Sequence, residues 1–421
     1  MKDTRQHRWK PLLIVAATGL AVPATQADVV TDWNTKANDI LATAKLPPHP
    51  SYRTMAMVQA AVYEAVNAIT RRYPAERSRL DAAPDASVDA AVAEANHALL
   101  SKLVPSQQTA IDSAYQDALA TIPDGPAKAD GLSLGHKAAA AVMSTRAEDG
   151  AAATESYRPH TTPGVYVPTV IPAFPQWPGR KPWTMASADQ FRPAPPPSLG
   201  SKRWVRDYSE IKAIGAKNSP SRSAEQTDIA RFWEATGPAI YFPVALSVAK
   251  GPGREVTQNA RLLATAGVAM DDALTAVMDA KYHYRFWRPI TAIRNGDTDR
   301  SEATEREAAW TPLIDTPMHP EYPCAHCILA GALGAVLQAE IGAGPTPTLT
   351  TTSVTAKGAA RNWTTVDDFV KEVANARIYA GVHYRNSTEV GAAMGRKIGE
   401  LAAGKSAWGQ IAQAGRERVE P

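Results

Sequence analysis

The sequence predicts an all-α protein, organised as a large helical bundle. Its 421 residues are 44% hydrophobic and 21% charged, which is typical of a folded globular chain rather than a disordered one. Apolar side chains recur at helical spacing along most of the chain, whereas runs of alternating β-branched residues are scarce. The sequence contains no repeat of 20–50 residues, which argues against a solenoid.

The first 27 residues have the pattern of a secretory signal peptide. A basic segment precedes a short apolar run, and Thr25 and Ala27 provide small side chains at a cleavage site. This segment carries the whole net charge of +3, so the rest of the chain offers no cationic face for nucleic acid. We therefore expect a periplasmic or secreted mature protein without a membrane span. The sequence does not indicate its oligomeric state.

Residues 28–421 are expected to form one helical domain in three parts: N-terminal helices at 28–150, a Pro-rich connection at 151–201 and catalytic helices at 202–421. Four antiparallel helices are expected before residue 150, at 53–72, 87–104, 106–122 and 127–148. Later helices are expected at 203–214, 222–235, 254–279, 327–341, 364–380 and 387–403.

The Pro-rich connection is not expected to be helical. Residues 158–198 hold 11 of the 33 prolines, whose fixed φ and missing N–H group exclude regular helix. A flexible linker is one interpretation. Trp177, Trp183 and Phe191 favour the other, an ordered segment packed on the surface or over a site.

The first chemically unusual segment runs from Lys281 to Arg288. Seven residues of helix turn through about 700°, so the two cations would share a face if the helix continued. Aromatic residues between them make full exposure unfavourable. The pair therefore suggests a partly desolvated anion pocket.

The second segment is His319-Pro-Glu-Tyr-Pro-Cys-Ala-His-Cys327, followed by an apolar run. Pro323 predicts a helix start just after it, so the N–H groups near Cys324 and Ala325 would be free to face an anion. His326 is a candidate acid or base there, although a buried structural histidine is the simpler interpretation.

The third segment places Arg377 six residues before His383, which would put them on different faces of an ideal helix. Gly381 between them indicates a break that could bring both side chains to one point. Arg377 could hold an oxyanion, and His383 could act as a nucleophile or ligand. The remaining histidines, including His49, show no ligand spacing and are most simply surface or core residues.

Together the segments read K-x6-R-P, P-x-x-H and R-x3-G-x-H, a signature that resembles the vanadium-dependent haloperoxidase and type 2 phosphatidic acid phosphatase superfamily. The segments DVVTDWN, RTMAMVQAAVYEAVNA, QFRPAPPP and FWRPITAI resemble its soluble haloperoxidase-like branch. The resemblance implies that Lys281, Arg288 and Arg377 bind the oxygens of vanadate or phosphate. It also implies that His383 is the vanadate ligand or phosphorylated nucleophile, and that His326 is the general acid or base.

The resemblance implies one of two activities. A haloperoxidase would use vanadate to oxidise halide with hydrogen peroxide, whereas an acid phosphatase would hydrolyse a phosphate ester through a phosphohistidine. The first is preferred because the resemblance to that branch extends along the chain.

Two departures from the family pattern affect the site. The second motif usually reads Pro-Ser-Gly-His, so Cys324 replaces a hydroxyl donor with a weaker thiol donor. The third motif often has Asp four residues after the histidine, where this chain has Ser387. A carboxylate that orients His383 must then come from elsewhere, and Asp271 and Asp272 are the candidates.

The cysteines leave alternatives open. Cys324-Ala-His-Cys327 fits a thioredoxin-like motif, and His319, Cys324, His326 and Cys327 could hold zinc at a cramped spacing. A non-catalytic oxyanion-binding protein is a third class. Free thiols would be oxidised by peroxide, so we expect either a Cys324–Cys327 disulfide or a phosphatase.

Overall fold

Thirteen α-helices and one β-hairpin make up the part of the chain that the structure describes. The structure is a computed structural model that describes residues 28–74 and 80–405. The expected signal peptide at 1–27 and the last part of the expected domain, 406–421, lie outside the described residues. The all-α class is confirmed, and the domain limits stay a prediction.

The helices before residue 150 are α1 (Val29–Ala44), α2 (Pro48–Thr70), α3 (Val88–Leu103), α4 (Gln108–Ala120) and α5 (Pro126–Arg146). Four of them match the expected helices, but the expectation of only four is wrong because α1 was missed. Asn34 and Asn38 lie on its buried face and hydrogen-bond to each other, so polar residues interrupt the apolar pattern there.

The later helices are α6 (Lys202–Ile214), α7 (Ala224–Phe232), α8 (Pro238–Ala249), α9 (Val256–Tyr284), α10 (Pro289–Arg294), α11 (Ala325–Ile341), α12 (Val366–Tyr379) and α13 (Arg385–Lys405). The sequence interpretation missed α8 and the short α10. In α8, Pro243 lies inside the helix, a position that proline usually excludes. Because α8 is apolar and largely buried, packing compensates for the lost backbone hydrogen bond.

The two strands, β1 (Leu349–Ser353) and β2 (Ala359–Trp363), pair antiparallel, with Leu349 opposite Trp363. They form a short hairpin against α8. Among the described residues, no helix combines the length and apolarity needed to cross a membrane.

The Pro-rich connection is ordered, as expected, and is fastened to α9. Asp271 accepts two hydrogen bonds from the buried guanidinium of Arg180, at 2.8 and 2.9 Å. Asp272 accepts the backbone N–H groups of Trp183 and Thr184 at 2.7 and 2.8 Å. The segment is thus held by buried carboxylates rather than by regular secondary structure.

Helices α11 and α13 pack with their backbones in close contact. This contact fixes the position of the start of α11. A Cβ atom at Gly395 would lie 2.1 Å from the backbone oxygen of Ile328. Only glycine allows this approach. An aromatic cluster lies beneath the turn that follows α9: Trp204, Tyr208, Phe286, Trp287, Trp310, Tyr322 and Tyr384.

Candidate active site

A cavity of about 600 Å³ brings residues from several distant segments together. Four of the expected site residues lie on its wall: Ala325, His326, Arg377 and His383. Arg288 contacts His383 from behind that wall. The cavity therefore joins the second and third sequence segments directly, and the first segment through Arg288.

Lys281 and Arg288 come together by a different route from the one expected. Helix α9 ends at Tyr284, and Arg285 adopts a left-handed conformation with φ of 49°. Arg288 then precedes α10 as its N-cap. The expected common helix face is therefore wrong, because the chain turns between the two residues. Both cations are nonetheless buried.

Backbone carbonyls hold the two cations in place. Lys281 Nζ donates to the carbonyl oxygens of Pro320 and Glu321 at 2.9 and 2.8 Å. Arg288 donates to the carbonyls of His319 and Val382 at 2.8 and 2.9 Å. These bonds connect the turn after α9 to the loops that carry Glu321 and His383, so all three segments are fixed relative to one another.

His383 is oriented by Glu321. Its Nδ1 lies 2.8 Å from Glu321 Oε1, which also accepts the backbone N–H of Tyr384 at 3.1 Å. Because this carboxylate oxygen can only accept when ionised, Nδ1 carries the proton and Nε2 is the unprotonated nitrogen. Arg288 Nη1 lies 3.3 Å from Nε2. A neutral imidazole of this tautomer presents a lone pair for a ligand bond.

The expectation that Asp271 or Asp272 orients His383 is wrong. Both carboxylates face the Pro-rich connection and are fully engaged there. Glu321 takes the role because the loop before Pro323 folds back over the end of α12. The sequence feature that could have indicated Glu321 is its position inside the second segment, two residues before Pro323.

Arg377 reaches the cavity from the last turn of α12. Its Nη1 donates to the backbone oxygen of Trp233 at 2.6 Å, and its buried Nε has no hydrogen-bond partner among the described residues. Gly381 has a φ of +81°, which confirms the expected helix break between Arg377 and His383. The break turns the chain so that both side chains line one cavity.

The start of α11 supplies Ala325 and His326. Cys324 caps the helix: its Sγ accepts the N–H of Cys327 at 3.1 Å and is also bonded to Cys327 Sγ, with the Cα atoms 5.3 Å apart. The disulfide expected as one of the two outcomes is thus present. A disulfide sulfur carries no hydrogen, and the backbone N–H of Cys324 donates to the oxygen of Ser387 at 3.2 Å, so the expectation that Cys324 donates to an anion is wrong. His326 Nε2 lies 3.2 Å from the backbone oxygen of Ala235.

Burial dominates the protonation of the site. It lowers the pKa of His326 and His383 well below the usual value, and the nearby cations lower it further. Desolvation also lowers the pKa of Arg288 and Arg377 to about 10 and that of Lys281 well below its usual value. Burial raises the pKa of Glu321 to about 7, although Lys281 and Arg288 oppose this change.

This donor set fits an oxyanion such as vanadate or phosphate. Three buried cations act on His383, two of them, Lys281 and Arg288, also act on the buried carboxylate of Glu321, and the free Nε–H of Arg377 is left for a ligand. A bound anion would offset the positive charge, and the unprotonated nitrogen of His383 could bond to its central atom.

The cysteine alternatives find no support in the geometry. Cys324 and Cys327 are bonded to each other and so are not available as zinc ligands. Within residues 28–74 and 80–405, no three His, Cys, Asp or Glu side chains are grouped so that they could hold a metal ion. The motif follows a loop and the long helix α9, not the βαβ unit of a thioredoxin.

A family model matches the part of the chain that holds the candidate site. Residues 261–408 match the family model of the VCPO second helical-bundle domain, a range that contains every expected site residue. No curated protein matches the sequence.

The fold is that of solved bacterial vanadium haloperoxidases. A bacterial vanadium-dependent iodoperoxidase superposes with a TM-score of 0.76 at 24% identity, over 90% of this chain and 96% of that one. The holo form of a bacterial vanadium-dependent chloroperoxidase superposes with a TM-score of 0.67 at 18% identity, over 88% of this chain and 93% of that one. The chain therefore has the fold of the bacterial vanadium haloperoxidases, and its C-terminal helices resemble the VCPO second helical-bundle domain.

Proposed function

We propose that this protein is an exported, vanadium-dependent haloperoxidase that oxidises halide with hydrogen peroxide. The observation that carries the proposal is the buried group of Lys281, Arg288 and Arg377 around His383, whose Nδ1 is held by Glu321. Vanadate bound there would supply Lewis-acid activation of peroxide. An oxidising compartment is consistent with the disulfide.

The residues of the chain have separate roles in this proposal. Lys281, Arg288 and Arg377 balance the charge of the oxyanion and keep water from competing for it. Glu321 keeps the proton on Nδ1 of His383, so that Nε2 stays available as ligand. His326 is neutral because of burial. Its Nε2 lies against the carbonyl oxygen of Ala235, which can only accept a hydrogen bond, so Nδ1 is the nitrogen that could accept a proton from a protic substrate.

The disulfide favours the peroxidase over the phosphatase. Cys324 and Cys327 are both buried beside the start of α11, and the described residues contain no free cysteine. Peroxide therefore meets no thiol at the site that it would oxidise. Thiol counting under denaturing conditions, before and after sustained turnover, should find none at either time. Two free thiols that persist through halide oxidation would contradict this argument.

An acid phosphatase is the second candidate, because the same cations fit phosphate and the neutral Nε2 of His383 could act as its nucleophile. One preparation, freed of phosphate, should be assayed for halide oxidation and for phosphate release from p-nitrophenyl phosphate, with and without orthovanadate. We expect iodide oxidation that depends on added vanadate and is lost in His383→Ala. The exposed His136→Ala provides the control and should behave like wild type. Phosphate release that vanadate inhibits, without halide oxidation, would favour the phosphatase instead.

A further inference from the structure

His49 is a buried histidine whose nitrogens have no partner. It lies in the first turns of α2, it is only 5% exposed, and it lines the same cavity as Arg377, His326 and His383. Neither Nδ1 nor Nε2 has a hydrogen-bond partner among the described residues. Burying an imidazole without hydrogen bonds lowers the stability of the folded state, so packing alone would favour an apolar side chain.

Aromatic contacts, rather than hydrogen bonds, hold the His49 ring. Phe174 stacks on it at a centroid distance of 4.1 Å, and Trp177 meets it edge-on at 5.5 Å. Both aromatic residues belong to the ordered Pro-rich connection, which Asp271 and Asp272 fasten to α9. The ring is therefore fixed in the cavity wall, and neither nitrogen is engaged by a described residue.

The charge state of His49 limits what that ligand can be. Burial, with the nearby cations Arg180 and Lys281, lowers its pKa to about 3, so the ring is neutral. A neutral imidazole offers one N–H donor and one acceptor nitrogen. This pair suits a small neutral molecule that has both an O–H group and a lone pair, rather than a second anion.

We propose that His49 binds hydrogen peroxide in the cavity beside the oxyanion, donating to one peroxide oxygen and accepting a peroxide O–H. This inference rests on the proposed haloperoxidase function. The cavity, at about 600 Å³, has room for an oxyanion and a second small molecule. His49 is thus a co-substrate-binding residue, contributed by the N-terminal helices to a site built by the C-terminal ones.

The kinetic test compares His49→Phe, which keeps the aromatic packing, with His49→Gln, which keeps a donor and an acceptor. In His49→Phe the KM for peroxide should rise at least tenfold, while the KM for iodide and the Kd for vanadate stay within about twofold. His49→Gln should recover part of the loss. His136→Phe, on the exposed face of α5, is the matched control.

A second measurement does not depend on turnover. Peroxide is titrated into protein loaded with inorganic phosphate, and the ring nitrogens of His49 are followed by NMR. We expect a saturable shift of the His49 signals that is absent for His136. This titration also decides the matter if a variant does not fold.

Several outcomes would overturn the inference. An unchanged peroxide KM in folded His49→Phe, or no NMR shift in wild type, would exclude peroxide binding. A tenfold loss of vanadate affinity would place His49 at the oxyanion instead. If His49→Phe changed only the rate of phosphate-ester hydrolysis, His49 would instead be assigned to binding the alcohol leaving group. If wild type shows no vanadate-dependent halide oxidation, the proposed function fails, and the NMR titration alone decides on His49.

Discussion

Arg377 is a buried cation that hydrogen-bonds only to a neutral partner among the described residues. Its Nε has no partner among the described residues, and its hydrogen bond to Trp233 joins it to a neutral carbonyl. Its positive charge is therefore available to a bound oxyanion, unlike the guanidinium of Arg180, which two buried aspartates hold.

Replacing Arg377 by Ala should lower phosphate or vanadate affinity by roughly a hundredfold, because removing one partner of a buried charge pair costs ~2–5 kcal/mol. Arg377→Lys should lose less, since it keeps the charge but not the planar donor group. Equilibrium dialysis with radiolabelled phosphate measures the affinity. Arg396→Ala, exposed on α13, is the control. Wild-type affinity in Arg377→Ala would remove this residue from the site.

Glu321 acts through His383 rather than on a substrate. Glu321→Gln should keep the geometry, because the amide oxygen can still accept the two N–H groups that Oε1 accepts now. The negative charge that makes His383 a better ligand is lost, so vanadate affinity should fall about 10–100-fold. Glu321→Ala should also release the ring, and NMR of the ring nitrogens should then show a mixture of tautomers.

The exposed Glu400→Gln serves as the control for both Glu321 variants. Unchanged vanadate affinity in Glu321→Gln, with an unchanged tautomer in Glu321→Ala, would mean that Glu321 does not position His383.

The residue types of the site could be predicted from sequence, but not all of their neighbours. Arg377, Gly381 and His383 lie close together in the chain, so local geometry was enough to place them. Asp271 was assigned wrongly because its helix face is set by the Pro-rich connection, about 90 residues earlier. His49 gave no signal at all, since its contacts with the cavity depend on packing across the whole bundle.

At the scale of elements, the site depends on where helices begin and end. The end of α9 places Lys281, the start of α10 places Arg288, the start of α11 places His326 and the end of α12 places Arg377. Helical periodicity predicted most of these elements. It could not predict the left-handed turn at Arg285, which replaces the continuous helix that the spacing of Lys281 and Arg288 suggested.

The start of α11 provides an element-scale prediction. Cys324 caps the helix and closes a four-residue loop with Cys327. Cys324→Ala/Cys327→Ala loses both the cross-link, worth about 2 kcal/mol for so short a loop, and the cap, worth about 1 kcal/mol. Cys324→Ser/Cys327→Ala loses only the cross-link. Urea denaturation should therefore rank the free energy of unfolding as wild type, then the Ser variant, then the double Ala variant.

Equal stability of the two double variants would show that residue 324 does not act as a cap. Oxyanion affinity should follow the same order, because Ala325 and His326 in the first turn of α11 line the cavity and fraying of that turn would displace them. Reduced wild type, measured with the thiols blocked, separates the effect of the disulfide from that of the substitutions.

At the scale of the whole molecule, the site opposes folding when no anion is bound. Three buried histidines, at 49, 326 and 383, and the partly buried His319 have pKa values lowered chiefly by desolvation, that of His49 to about 3. In the unfolded chain they titrate near 6.5, so the unfolded state binds more protons as the pH falls below that value. Glu321 acts in the opposite direction, because its pKa is raised to about 7 in the folded state.

Together these five groups predict that the free energy of unfolding decreases as the pH falls from 6.5 to 4.5. In the unfolded state each histidine is about half protonated at pH 6.5 and almost fully protonated at pH 4.5, while the folded state holds up to about one extra proton at Glu321. Because the histidines outnumber Glu321, unfolding takes up protons, and the free energy of unfolding should fall with decreasing pH by about 1.4 kcal/mol per pH unit for each net proton. Urea denaturation in phosphate-free buffer measures this slope.

In His49→Phe the slope should be smaller by the contribution of about one proton, whereas His136→Phe should leave the slope unchanged. Saturating phosphate should stabilise the protein and reduce the slope, since a bound anion offsets the positive field that keeps these histidines neutral. A slope that is the same in wild type and His49→Phe would show that His49 is protonated equally in the folded and unfolded states.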